Sequence, residues 1–434
     1  MIDIRALRED PDAVKAALAR RGVEATEVDA VLEADAAWLA RVQQAEQLRA
    51  EVKALSREVG QARKAGDDAR AEEISARSRA LGEEEGAVSA EADALEQKRR
   101  TGLLYLPNIP ADDAPDGTGE EDNVEVRRWW PGQDLGRPEP QRAGHQQVPH
   151  WEIGEALQIL DMERGARLAG SMFPLYRGPG ARLLRALTAF AIDRHSPEYE
   201  EIRPPTVVLT DTMTSTGHLP KFADDAYHIE RDDLWLIPTA EVPLTSMHRG
   251  EILEESHLPI RFTASTACYR REAGSAGRDT RGLLRVHEFD KVELFAYATP
   301  DGALDAQADI LRRAESMLQE LELPYRVLDL CTGDLGGSSA RTFDLEAYSP
   351  GVDRWLEVSS VSWFRDYQAR RANVRFRPAG GGQPQLVHTV NGSALAWPRM
   401  WAALVENGRQ EDGTVMLPEA LAPYLGGELL IKAP

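Results

Sequence analysis

A chain of 434 residues is too long for one ordinary core, which implies two domains or more. A net charge of −21 with 42% hydrophobic residues describes an acidic globular protein and excludes indiscriminate nucleic-acid binding; any such contact has to be local and basic. The two cysteines, Cys268 and Cys331, lack metal-type spacing and cannot build a disulfide framework, which favours a reducing compartment.

The opening MIDIRALREDPDAV carries no signal-like apolar core, and no apolar run approaches the roughly 20 residues that span a bilayer. A cytoplasmic protein without membrane contact is expected. Residues 1–105 form the first predicted domain, rich in Ala, Glu and Arg. Asp10 before Pro11 reads as an N-cap followed by proline at the first helical position, with Gly22 as the stop. Trp38, Val42, Ala45, Leu48, Val52, Leu55 and Val59 then recur by threes and fours, and Ile74, Leu81, Val88 and Leu95 fall at steps of seven. Gly60 and Gly66-Asp67-Asp68 punctuate the join, with Asp67 or Asp68 as a cap. The pattern predicts an antiparallel hairpin of two long helices with one seam. Arg57, Arg63, Lys64, Arg70, Arg77 and Arg79 suit contact with phosphates. Acidic residues are interleaved, so a dimerisation coiled coil or a solvated helical face stays open.

Residues 106–150, rich in Pro, Gly and Asp, read as a linker. Residues 151–434 alternate helical patterns with short strand runs, such as Leu234–Ile237, Tyr325–Leu328, Trp355–Ser359 and Leu386–Asn391. An α+β fold follows: the helical hairpin, then an antiparallel sheet flanked by helices. There is no P-loop and no GxGxxG after a strand.

In PTAEVPLT, a strand would put Thr239 and Glu241 on one face, a hydroxyl and a carboxylate suited to a small amino acid; a turn after Pro238 is the competing reading. The stretch Ala267–Tyr297 reads as two strands around a Gly-rich loop, Gly274 to Gly282. Cys268, Arg270 and Glu272 alternate on the first strand, and Arg285, Phe289 and Glu293 share a face of the second, opposite Leu284, Val286, Val292 and Leu294. Such a wall offers forks for phosphate, a ring for a base and carboxylates for an ammonium. A solvated, ion-paired sheet face gives the same pattern. In LEVSSVSW, Glu357, Ser359 and Ser360 supply oxygen ligands for Mg²⁺ with ATP. Alternation splits Glu357 from Ser360, so a shared metal requires a bulge there. Thr389, Asn391 and Ser393 alternate onto one face, and Pro398 starts a helix with Arg399 in its first turn, where anions are favoured.

Taken in order, the long arm, TAEVPLT, ACYRREAGSAGRDTRGLLRVHEFDKVE, LEVSS, QARR and TVNGSALA resemble the bacterial-type seryl-tRNA synthetases, class II aminoacyl-tRNA synthetases, over nearly the whole length. The resemblance implies ATP-binding residues Arg270, Arg271, Glu272, Arg285, Val286, Phe289, Glu357, Val358, Ser359, Ser360 and Arg399, with Arg270 and Arg399 catalytic. It implies serine-binding residues Thr239, Ala240, Glu241, Glu293, Asn391 and Ser393, and Mg²⁺ at Glu357 and Ser360, with no zinc. The partners implied are tRNA(Ser) and tRNA(Sec), gripped by the arm, and a second copy of the chain, met through YEEIRPPTVV around Pro204 and Pro205. The implied activity is activation of L-serine with ATP to seryl-adenylate and transfer to tRNA. A paralogue handing activated serine to a biosynthetic partner, and a non-catalytic tRNA-binding regulator, are the alternatives. Trp397, Pro398, Val361, Trp363 and Gly337 depart from the usual family pattern, which suggests a divergent member.

Overall fold

The computed structural model describes residues 1–139, 143–273 and 281–434, and divides into two compact units, residues 2–107 and a body built from Asn108–Pro434. The smaller unit is the expected hairpin. Short helices α1 (Ile4–Glu9) and α2 (Pro11–Ala19) precede α3 (Ala25–Lys64) and α4 (Asp68–Tyr105). Asp10 caps α2 by accepting from the Ala13 N–H, and Asp67 caps α4 by accepting from the Arg70 N–H. At 40 residues and about 1.5 Å per residue, α3 is about 60 Å long.

Ala45, Leu48, Leu55 and Ala62 of α3 and Ala71, Val88 and Ala92 of α4 are buried, while Leu81 packs half-buried on Ala45, Leu48 and Val88. Gly60 does not interrupt α3, contrary to expectation. One interior glycine costs only about 1 kcal/mol against alanine. The chain turns instead at Gly66, whose φ of +77° suits glycine.

At the other end of the hairpin, Asp35 is buried among two guanidinium groups. Arg8 bonds both its oxygens, at 2.7 and 2.8 Å, and Arg99 adds a third bond at 3.1 Å.

In the body, the eight strands of the main sheet among the described residues run in the order β1-β9-β10-β11-β14-β8-β7-β2. These are β1 (Val124–Trp129), β2 (Glu200–Glu201), β7 (Ile260–Tyr269), β8 (Glu288–Ala298), β9 (Tyr325–Asp329), β10 (Arg341–Ser349), β11 (Arg354–Trp363) and β14 (His388–Ala396). All neighbours pair antiparallel except β2 with β7. Smaller sheets hold β3 (Val207–Leu209), β4 (His228–Ile229) and β5 (Leu234–Leu236), and β6 (Ile252–Glu254), β12 (Arg375–Arg377) and β13 (Gln385–Leu386).

Helices α5 (His150–Ala156), α6 (Met162–Ala169) and α7 (Pro179–His195) precede the sheet's central strands. Beyond them come α8 (Thr210–Thr216), α9 (Glu241–Ser246), α10 (Ala303–Glu320), α11 (Tyr367–Ala372) and α12 (Trp397–Asn407). One core layer joins Val292 and Leu294 of β8 to Leu187 of α7, Ile310 of α10 and Trp401 of α12. A second joins Phe295 and Tyr297 to Leu244 of α9 and Ala369 of α11. Strand β8 is therefore buried on both faces and shows no polar-out alternation over its second half.

One expectation changes, and one open choice is decided. Residues 108–150 belong to the body rather than to a linker, because β1 adds to the sheet edge beside β9. Apart from residues 140–142, which lie outside the described residues, the Pro- and Gly-rich composition there marks turns around one strand. TAEVPLT makes the turn, the competing reading, and leads into α9, with the Thr239 hydroxyl accepting the Glu241 N–H at 3.2 Å just ahead of the helix.

Asp35→Asn should destabilise the helical unit by about 2–3 kcal/mol, below the fully buried range because Arg8 is partly exposed. Arg8 first, then Arg99, holds the carboxylate below its usual range. Its contribution is complete above about pH 4 and is lost as pH falls through the lowered native value. Denaturant melts of both proteins, followed by helical circular dichroism at pH 7 and pH 3, check both statements.

Candidate active site

Strands β7 and β8 pair as the expected hairpin, with Cys268 opposite Phe289 and Tyr269 opposite Glu288. The strands stop there. Arg270, Glu272, Arg285 and Val286 lie in the connecting segments, so their convergence does not come from strand alternation. The pairing persists for one step, because the Arg270 N–H donates to the His287 carbonyl at 2.9 Å. Glu272 then takes a left-handed turn, φ +53°, and its carboxylate meets the Arg285 guanidinium at 2.5 Å. The Arg270 guanidinium sits 5.1 Å from the centre of the Phe289 ring. Of the Gly-rich loop, residues 274–280 lie outside the described residues.

These groups wall a cavity of about 360 Å³. Its other walls carry Thr239, Glu241, Glu357, Val358, Ser359, Ser360, Asn391, Ser393 and Arg399. Three of the nominated residues do not line it: Ala240, Arg271 and Glu293, the last buried behind Thr239, Lys291 and Asn391. Ala240 is buried in the second core layer. The exposed Arg271 reaches the Asp224 carbonyl at 3.1 Å.

A bulge sits in β11, where the register with β10 slips between Leu345–Ser359 and Glu346–Glu357. The extra residue breaks alternation, and Glu357, Ser359 and Ser360 all line the cavity. Ser360 also bonds the carboxylate of Asp344, whose Oδ1 is buried with no hydrogen-bond partner among the described residues. Burial, then the Glu357 carboxylate, raises Asp344 well above its ordinary range. This set of hard oxygen donors with excess negative charge fits a divalent cation such as Mg²⁺. Arg399 enters from the first turn of α12, donating to the Leu284 carbonyl at 3.1 Å and the Glu357 carbonyl at 3.0 Å.

A second bulge, in β14, falls between Ser393 and Leu395, next to Glu293 on β8. Glu293 is fully buried. It accepts from the Thr239 hydroxyl at 2.9 Å and the Asn391 amide at 3.1 Å, and it pairs with Lys291. Glu241 accepts from Gln368 at 2.6 Å, and Thr389 in turn donates to Gln368 at 2.7 Å. Burial, then repulsion from Glu293, pushes Glu241 up to about 7. His218 also lines the cavity; burial, then Arg270, brings it down to about 3, so it is neutral.

Sequence reasoning missed Lys291, His218 and Gln368. Lys291 was findable, since it alternates with Phe289 and Glu293 on the same strand. Gln368 and His218 come from a helix and a loop far away in sequence, and no local period marks them. Among the departures, Gly337 lines the cavity beside Phe222, and Pro398 lines it too. Trp363 instead donates to His388 at 3.3 Å, and Val361 and Trp397 are buried in the core.

Comparisons with known proteins agree over the full length. The family model described as Seryl-tRNA synthetase N-terminal domain matches residues 1–110, and that described as tRNA synthetase class II core domain (G, H, P, S and T) matches residues 225–408. The serine–tRNA ligase of Gemmatimonas aurantiaca is 50% identical over 99% of this chain and 100% of its own. That of Syntrophotalea carbinolica is 47% identical over 100% of each. The solved seryl-tRNA synthetase of Pyrococcus horikoshii complexed with ATP superposes with a TM-score of 0.90 at 37% identity, covering 100% of both chains. The chain belongs to the seryl-tRNA synthetase family of class II aminoacyl-tRNA synthetases.

Proposed function

We propose that this protein activates L-serine with ATP and transfers the seryl group to tRNA(Ser). The observation that carries the reading is the convergence of Arg270, Arg285 and Arg399 with Glu241 around one cavity, contributed by separate segments, with Glu293 buried just behind the wall and bonded to the lining residues Thr239, Asn391 and Lys291. Guanidinium groups at three sides suit a bent triphosphate. Glu272 and Phe289 suit the amino group and the face of adenine, with Val286 and Val358 as apolar walls. Glu241 and Glu293 suit the serine ammonium, and Thr239, Asn391 and Ser393 suit its small polar side chain.

In this arrangement the serine carboxylate attacks the α-phosphorus in line with pyrophosphate departure. Arg270 stabilises charge gathering on the α-phosphoryl oxygens, while Arg285 and Arg399 hold the leaving group. Glu357 and Ser360, with Asp344 beside them, would hold Mg²⁺. When bound, that ion draws charge from the phosphate oxygens. The terminal ribose hydroxyl of tRNA then attacks the seryl carbonyl, the bond to the adenylate oxygen breaks, and AMP departs with the hydroxyl proton. Arg285 is paired with Glu272 and Arg399 with Glu357. Each arginine therefore exchanges a carboxylate for a phosphate on binding, which keeps it oriented and tempers affinity.

The same reading gives the arm to tRNA, through Arg63, Lys64 and Arg70 near its turn. It makes the active form a homodimer through α7 and β2, extends charging to tRNA(Sec) and places the enzyme in the cytoplasm. Among the described residues no helix is long and apolar enough to cross a membrane.

Three measurements test it. Arg270→Ala should lower serine-dependent ATP–pyrophosphate exchange by about 10²–10³-fold, and Arg270→Lys should recover only part, because an ammonium lacks the planar fork that bonds two oxygens in parallel. Replacing Arg63, Lys64 and Arg70 by Glu should leave exchange intact and lower tRNA(Ser) charging, with a shallower salt dependence. Glu241, poised at about 7, should make KM for serine fall as pH rises from 6 to 8, because only the carboxylate binds the ammonium. Glu241→Gln should raise KM at pH 8 and abolish that slope; an unchanged slope would remove Glu241 from the site.

A further inference from the structure

Arg285 stands in a segment without regular secondary structure, yet the backbone before it is fixed from two sides by one helix. On one side, Arg399 donates to the Leu284 carbonyl at 3.1 Å. On the other, the Leu283 N–H donates at 2.8 Å to Nε2 of His150. His150 has no solvent exposure, and its Nδ1 lies 2.7 Å from Oε1 of Glu406. Glu406 is also fully buried and accepts further bonds from the His150 N–H at 2.9 Å, the Gly351 N–H at 2.9 Å and the Ser349 hydroxyl. With four donors on two oxygens, Glu406 is an acceptor only. The imidazole therefore carries its proton on Nδ1 and presents the Nε2 lone pair to Leu283.

Arg399 and Glu406 lie seven residues apart on α12, two turns, so they share a face about 10 Å apart. Gly282 completes the fit. It sits at φ +63°, and a Cβ there would stand 2.4 Å from Nε2 of His150. Only glycine lets the backbone approach the ring.

We propose that His150 and Glu406 are positioning residues that clamp the Leu283–Leu284 peptides and thereby aim Arg285 at the triphosphate. Neither touches the cavity. The pair transmits the rigidity of α12 to a segment with no strand or helix of its own. This deepens the proposed function and rests on its reading of Arg285 as a triphosphate ligand.

The test compares His150→Asn with His150→Gln. Asparagine retains a group near Nδ1 for Glu406 but offers nothing at Nε2, whereas the glutamine oxygen reaches the Leu283 N–H. H150N should raise KM for ATP in serine-dependent pyrophosphate exchange at least tenfold and leave KM for serine within twofold. Hydrogen exchange of the Leu283 amide should quicken at least tenfold. H150Q should restore both. The proposal is overturned if the two variants behave alike, if both KM values rise together, or if the Leu283 amide is equally protected in H150N. Should H150N lose its fold by circular dichroism, the Leu283 amide of the unaltered protein decides. Protection matching the amides of β8 supports the clamp, and rapid exchange overturns it. Failure of the unaltered protein to exchange pyrophosphate with serine would sink the enzymatic reading alone, and the amide measurement still judges the clamp.

Discussion

A carboxylate with no access to water must be paired and hydrogen-bonded, or it forfeits several kcal/mol of solvation. Glu293 is such a group, and its partners come from three places: Lys291 on its own strand, Thr239 from the turn after Pro238, and Asn391 from the next strand. Satisfying it ties the sheet register, the start of α9 and the placement of β14 together. A slip of one residue in β8 would turn the charge into the apolar layer of α7 and α10. The demand that makes Glu293 expensive is also what gives the cavity floor one geometry.

The same economy appears at the cavity's other end. Arg285 leans on Glu272 and Arg399 on Glu357, so each guanidinium is oriented by a carboxylate. Such pairs are partly solvated and individually weak. Their value lies in restricting the rotamers of long side chains, which lowers the entropy lost when such a group is ordered by a ligand.

Much of this was legible in the sequence, for reasons that differ by element. The helical hairpin was readable because its seam repeats at helical spacing and Asp10 and Asp67 are strong caps. The proposed nucleotide wall was readable as a set of residue types but not as a geometry. Arg270, Glu272 and Arg285 were assigned to alternating strands, whereas a left-handed residue and an ion pair bring them together. The Gly60 break was over-read, since glycine weakens a helix without stopping it. At Thr239 alternation could not decide between a strand and a turn, because it does not reveal a hydroxyl that accepts the Glu241 N–H. His218 and Gln368 were invisible, because only the tertiary fold carries them to the carboxylates.

The two bulges, at Val358 in β11 and Ala394 in β14, bear on how such a chain tolerates change. Each inserts one residue that the neighbouring strand does not match. Deleting either would restore a regular ladder and still leave the wrong side chains facing inward. An extra residue is better accommodated in the exposed glycine-rich turn at Gly380–Gly382 than along these two strands. The spacing within LEVSS and TVNGSALA thus sets which side chains face the cavity, whatever residues surround it.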